Sequence, residues 1–195
     1  MEIHEWEQRY RSRERAREDF ATQPVPLLAD VAGKLPPGRA LDLACGTGRN
    51  ALWLAERGWK VSAVDGAAAA IEILQGRAKE RGLCIDARVA DLEQGEYRIE
   101  PQAWDLICIS YYLQRDLFEP AKRGLVPGGI MVVLVHIAEP GEQPTLHRLA
   151  PGELPAYFRE MEILHHCEGQ PHDPLHNRAV AEIVARRPAP EPRRP

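Results

Sequence analysis

The chain has 195 residues, 44% of them hydrophobic, and a formal charge of −4. That length supports one substantial core, and the mildly acidic balance excludes the basic footprint of a protein that grips nucleic acid or an anionic membrane. The longest apolar run, IMVVLV at 130–135, is too short to span a bilayer, and MEIHEWEQRYR lacks the apolar stretch of a secretory signal, so a cytoplasmic protein is expected.

Residues 2–19 hold five arginines and six acids, with Trp6, Tyr10 and Phe20 as the large groups available for packing. They predict a solvated helix with a thin aromatic seam. Pro24 and Pro26 break it, and an apolar piece at 27–31 leads to the turn Pro36-Pro37-Gly38. From there strands and helices alternate. A strand at 40–43 runs into a glycine turn, a helix at 50–57 stops at Gly58, and a strand at 60–64 precedes a helix at 67–81 that stops at Gly82. Third and fourth strands follow at 84–89 and 105–109, then a helix at 113–122. After Pro127-Gly128-Gly129 comes a fifth strand at 130–136. This alternation predicts an α/β fold, a doubly wound Rossmann-like sheet that is mostly parallel, with helices on both faces. A loop with Pro140 and Pro144 follows, then a helix near 152–158. Strands at 161–165 and 180–185 are close enough in sequence to pair antiparallel, bringing the sheet to seven strands with an antiparallel C-terminal strand. The expected organisation is a single domain over 1–187: a cap helix and linker (1–35), a cofactor-binding core (39–137), and a substrate-side segment with the C-terminal strands (138–187). A disordered tail is expected at 188–195. Cys45, Cys84, Cys108 and Cys167 are widely spaced without a C-x-x-C, which predicts reduced, mostly buried thiols.

The stretch LDLACGTGRNA at 41–51 carries the chemistry. Its glycines satisfy G-x-G-x-x-G/A, which on its own admits a nicotinamide dinucleotide. Ligands of such sheets bind beyond the carboxyl ends of the central strands, and three acids stand there: Asp42, Asp65 and Asp91. A carboxylate at Asp65 suits the ribose hydroxyls of either NAD or S-adenosylmethionine. Asp91 is placed to accept from an adenine amine, with the Leu92 amide donating. Asp42 discriminates. S-adenosylmethionine has an ammonium, a sulfonium and no phosphate, so a carboxylate stabilises it and repels a pyrophosphate. At an effective dielectric of ~20, a charge pair ~5 Å apart is worth about 3 kcal/mol. A hydrogen bond from turn amides to Asp42 is compatible with that role. Gly46 and Gly48 allow close backbone approach.

LDLACGTGRN, the VD at 64–65 and the ADL at 90–92 resemble the class I S-adenosylmethionine-dependent methyltransferases, and LVPGGIMVVLV resembles their entry to the fifth strand. W-x-x-R-Y (Trp6, Arg9, Tyr10), CGTGRNALWLAERGWKVSAVD, YYLQRDLF and APGEL resemble the branch containing the tellurite-resistance methyltransferases. The first resemblance covers 39–137; the second runs thinly over 5–187. One departure is Asp65-Gly66-Ala67, where that superfamily often has a Ser or Thr capping the next helix, at a cost of about 1 kcal/mol when absent. The resemblance implies S-adenosyl-L-methionine as cofactor and S-adenosyl-L-homocysteine as product. The implied cofactor-binding residues are Tyr10, Asp42, Ala44, Gly46, Gly48, Asn50, Asp65, Gly66, Asp91, Leu92 and Ser110, with the N-terminal helix folding over the ligand.

Ser110, Tyr111 and Tyr112 follow the fourth strand where the transferable methyl is expected, and Tyr111, Tyr112 and, from the late loop, His172 are the catalytic candidates; aromatic packing is the competing reading of the tyrosines. Methyltransferases acting on amino groups of bases or amides commonly carry [DN]-P-P-[YF] here, and this chain reads ISYYL. That lowers the expectation of a nucleic-acid substrate and favours a small-molecule acceptor such as a thiol, a chalcogen oxyanion or another soft nucleophile. His136, Arg148 and Glu153 are candidates for a substrate lid, with ordinary surface residues favoured. His165, His166, Cys167, His172 and His176 match no standard zinc spacing, and neighbouring His165 and His166 point to opposite faces of a strand, so no metal is expected. The competing functions are an NAD(P)-dependent oxidoreductase and a non-catalytic S-adenosylmethionine-binding protein.

Overall fold

A computed structural model describes residues 3–12 and 23–189. After helix α1 (Ile3–Arg11) and α2 (Pro26–Ala32), the chain alternates through β1 (Arg39–Leu43), α3 (Arg49–Glu56), β2 (Lys60–Asp65), α4 (Ala68–Glu80) and β3 (Ile85–Val89). It continues through β4 (Trp104–Ser110), α5 (Phe118–Gly124), β5 (Leu125–His136), β6 (Glu162–Gly169) and β7 (Val180–Arg186). The seven strands form one sheet in the order β3-β2-β1-β4-β5-β7-β6. β1 pairs in parallel with β2 and β4, and β4 with β5; β7 alone runs against its neighbours, antiparallel to both β5 and β6. The expected architecture is therefore present. The strand order reverses between β1 and β4, and the crevice above their carboxyl ends is where an open sheet of this kind receives ligand.

Alternation along each strand sends side chains to two cores. Ala40, Leu106, Cys108, Val132 and Leu134 face α2, α3 and α4. Leu41, Leu43, Ile107, Ile109, Val133 and Ile183 face α5 and the 3₁₀ turn Leu154–Phe158. The central strands are apolar on both faces because helices cover both.

Several boundaries differ from expectation. The helix predicted at 113–122 resolves into a 3₁₀ turn, Arg115–Leu117, followed by α5 from Phe118. Pro120 explains it: a proline in a helix interior removes a hydrogen bond and clashes with the preceding turn, so the helix starts where Pro120 falls in its first turn. The helix near 152–158 is the short 3₁₀ turn, with Pro155 near its start. β5 begins at Leu125, taking Pro127 to Gly129 into the strand, and β6 extends to Gly169. Of the helix expected over 2–19, the part at Ile3–Arg11 is α1, while residues 13–19, Phe20 and most of the tail (190–195) lie outside the described residues. Of the four thiols expected to be mostly buried, Cys108 is buried and Cys45 partly so, but Cys84 and Cys167 are exposed, because they sit beside and within edge strands rather than central ones. No described helix is long and apolar enough to cross a membrane.

Candidate active site

The turn between β1 and α3 is held from several sides. The Cys45 amide donates to the Val64 carbonyl (3.0 Å) and the Gly48 amide to the Cys45 carbonyl (3.0 Å). Arg77 of α4 donates to Thr47 Oγ1 (2.9 Å). Three residues of the turn have left-handed φ: Ala44 (54°), Gly46 (54°) and Gly48 (82°). Gly48 is required for space as well, since a Cβ there would lie 2.2 Å from Leu74 Cδ1. Over the turn lies α1. Where Gly46 would carry a Cβ, the Tyr10 hydroxyl sits 3.0 Å away, and at Gly66 the corresponding neighbour is Ile3 Cδ1 at 2.6 Å. The helix expected to cover the site therefore rests on two of the glycines assigned to it.

What holds α1 there was missed by sequence reasoning. Helix α4 has Ala67 at its N-cap, a residue with no capping side chain. Glu7 of α1 supplies the acceptor instead, its Oε2 receiving the Ala69 amide at 2.9 Å. A carboxylate at a helix N-terminus is favoured by the exposed amides and the helix dipole. The Ala69 hydrogen bond is accordingly the leading reason the Glu7 carboxyl lies below its ordinary range.

The three acids differ sharply. Asp42 is buried, 1% exposed; it takes the Cys108 thiol on Oδ1 (3.1 Å), and among the described residues its Oδ2 has no hydrogen-bond partner. Burial pushes its carboxyl up to about 7, and the Cys108 hydrogen bond only partly opposes this. Asp65 has both oxygens engaged: Oδ2 receives the Gly46 amide (2.8 Å) and Oδ1 the Ala67 amide (2.9 Å). It braces the turn against the start of α4, with burial raising its carboxyl and the two amides opposing. Asp91 Oδ1 receives the Glu93 and Gln94 amides (2.8 and 3.1 Å), forming a local turn. The Leu92 side chain is buried in the core, and its carbonyl accepts from Gln114 Nε2. Asn50 and Ser110, both assigned to the ligand, meet each other: Asn50 Nδ2 donates to Ser110 Oγ (3.2 Å), and Asn50 Oδ1 receives the Val25 amide (2.9 Å).

The two tyrosines diverge. The Tyr112 hydroxyl donates to Gln114 Oε1 (2.8 Å), and its ring packs on the α5-side core. Tyr111 has φ +60°, unusual for a bulky residue, and joins a cluster the sequence did not suggest. Its ring stacks on His176 at 3.4 Å between centroids and lies 5.4 Å from His136. Its hydroxyl donates to Asp173 Oδ2 (3.1 Å), which also receives Arg49 Nη2 at 2.6 Å. Asp173 is 3% exposed; burial raises its carboxyl, but Arg49 outweighs this and holds it below its ordinary range. Burial, then the charge of Asp173, pushes the Tyr111 phenol strongly up, so it stays protonated. His136 is held below its ordinary range by burial, and its Nδ1 has no partner. Arg49, Tyr111, Asp173 and His176 thus bolt the late loop to the first residue of α3, beside the glycine turn.

His172 lines a cleft next to this cluster. Arg148 pairs with Glu142 within the 139–157 segment, while Glu153 accepts from Tyr157 and from Arg115, tying that segment to the turn before α5. His165 and His166 sit opposite Val184 and Ile183, which face different cores. Among the described residues no three His, Cys, Asp or Glu side chains converge to hold a metal.

Residues 40–129 match the family model described as a methyltransferase domain. The crystal structure of TehB from Haemophilus influenzae superposes with a TM-score of 0.71 at 26% identity, over 82% of this chain and 61% of that one. The geranyl diphosphate C-methyltransferase of Streptomyces coelicolor, solved with S-adenosyl-L-homocysteine, shares the fold: TM-score 0.68, 18% identity, 88% of this chain and 75% of that one. Among curated proteins, the 23S rRNA (uracil(1939)-C(5))-methyltransferase RlmD of Halomonas elongata is 43% identical over 72 residues, 37% of this chain. The chain spans only 14% of that relative's length. Residues 40–129 thus match a methyltransferase domain, and the chain as a whole resembles TehB.

Proposed function

We propose that the protein transfers the methyl group of S-adenosyl-L-methionine to a small-molecule acceptor. We assign 1–187 as one domain, with 39–137 binding the cofactor and 138–187 facing the acceptor. The observation that carries this reading is the buried, unpartnered Oδ2 of Asp42 beneath a turn free of Cβ atoms at Gly46 and Gly48. A buried carboxylate oxygen without a partner is costly; a ligand ammonium satisfies it, whereas a pyrophosphate worsens it. The remaining lone pairs of Asp65 and Asp91 suit ribose hydroxyls and an adenine amine.

When bound, the cofactor supplies a methyl group on a sulfonium, whose leaving group is a neutral thioether. The chain's task is alignment and exclusion of water, with the reacting atoms brought to ~3–3.5 Å. Tyr10 and Ile3 of α1 cover the turn, and Tyr111, held by Asp173 and His176, forms the wall toward the acceptor. A thiol, chalcogen oxyanion or other soft nucleophile needs little base. An acceptor that arrives protonated has a neutral imidazole at hand in His136, and a second imidazole, His172, lines the adjoining cleft. The charge of −4 argues against nucleic acid as the acceptor.

Calorimetric titration with S-adenosyl-L-homocysteine and with NADH tests the cofactor. We expect the former to bind at least a hundredfold more tightly, and comparable affinities overturn the reading. A methyl-donor consumption assay across thiols, chalcogen oxyanions, phenols and amines tests turnover; no consumption with any class favours a binding protein that does not catalyse.

A further inference from the structure

A cleft of about 300 Å³ opens on the α2 face of the sheet, bounded by Tyr111 on the side of β4. Leu27 and Leu134 make its apolar walls, Asp30 stands at its rim, and Glu182 forms part of its floor. Glu182 interrupts the apolar run of strand β7, VAEIVA at 180–185, and is 6% exposed. No described residue donates a hydrogen bond to its carboxylate; the His165 imidazole faces it, with Nε2 3.7 Å away. Among the described residues no Lys or Arg lines the cleft. The neighbouring guanidinium, Arg49, is committed to Asp173 at 2.6 Å. A carboxylate on the floor of a cavity, faced by an imidazole beyond hydrogen-bond distance, keeps acceptor lone pairs open toward that cavity, and the ligand that engages them is a cation with N–H donors.

We propose that this cleft seats the methyl acceptor by an ammonium or amidinium group paired with Glu182 and Asp30. The acceptor's aliphatic part lies on Leu27 and Leu134, and its nucleophilic end points to Tyr111. The assignment rests on the methyltransferase reading and narrows it: the acceptor is a cationic small molecule with a separate nucleophile, and a bare oxyanion is disfavoured.

The test uses n-butylammonium and butyrate as probes, titrated into the full chain with and without S-adenosyl-L-homocysteine and followed by NMR. Butylammonium should bind at least tenfold more tightly than butyrate. Glu182→Gln should weaken it at least tenfold, and Asp30→Asn, on the exposed side of α2, about threefold. Equal binding of the two probes, or butylammonium affinity unchanged in both variants, overturns the cleft assignment. In turnover, 2-aminoethanethiol should exceed mercaptoacetate at least tenfold in kcat/KM; equal values overturn the acceptor assignment. Failure of S-adenosyl-L-homocysteine to bind counts instead against the methyltransferase reading, since the probe titrations on the free protein are independent of it.

Discussion

Replacing Asp42 by Asn should stabilise the protein more strongly as pH rises. In the folded chain burial moves this carboxyl from 3.8 to about 7. The native state therefore holds its proton more tightly than the unfolded state does. Stability is greatest below 3.8, falls as pH rises through the interval, and levels off above about 7. At 1.36 kcal/mol per pH unit the whole interval is worth about 4 kcal/mol, of which about 3 kcal/mol lies between pH 4.5 and 8. Asn cannot ionise, and its carbonyl still receives the Cys108 thiol. The difference in unfolding free energy, variant minus wild type, should thus grow by about 3 kcal/mol over that range. Other titrating groups cancel in the difference. Urea denaturation at pH 4.5, 6 and 8, followed by fluorescence of buried Trp59 and Trp104, measures it. A difference that stays constant within ~0.5 kcal/mol would refute the reasoning, because Asp42 would then not be a desolvated acid.

The same linkage reaches the ligand: an ammonium favours the ionised form of Asp42, so affinity for S-adenosyl-L-homocysteine should rise with pH up to about 7, and calorimetry at pH 6 should detect proton release. Ala44 sits at φ +54°, which costs a side-chain-bearing residue about 1–2 kcal/mol; Ala44→Gly should raise stability by about 0.5–1 kcal/mol once the entropy of glycine is counted, read by thermal unfolding. Gly48→Ala should lose about 3 kcal/mol, combining backbone strain with the collision on Leu74, and should abolish ligand binding. Glu7→Ala should remove the cap from α4, costing about 1 kcal/mol, and make α1 susceptible to trypsin at Arg9 and Arg11, while Glu7→Gln, which keeps an acceptor, should be largely protected.

The architecture was legible because it is periodic and local. Strands apolar on both faces, helices of the right length and the glycine turn each write themselves into consecutive residues, and the acids at 42, 65 and 91 fall at strand ends that those patterns locate. The sequence by itself therefore determined the sheet and the strand ends at which an open sheet receives ligand. Other features depend on which distant segments meet. Asn50 and Ser110, assigned separately to the ligand, are 60 residues apart and bind each other. The missing cap of α4 is supplied by Glu7, 62 residues earlier. Arg49 reaches Asp173 across 124 residues, and on that pair rests the strained Tyr111. Glu182 looks like a surface residue in an apolar run, and only the packing of β7 between β5 and β6 makes it a buried carboxylate facing a cleft. Hydrogen bonds and ion pairs between remote segments leave no periodic trace in the chain. Tertiary structure alone decided how the late loop is fastened to the glycine turn and that Glu182 faces a cleft.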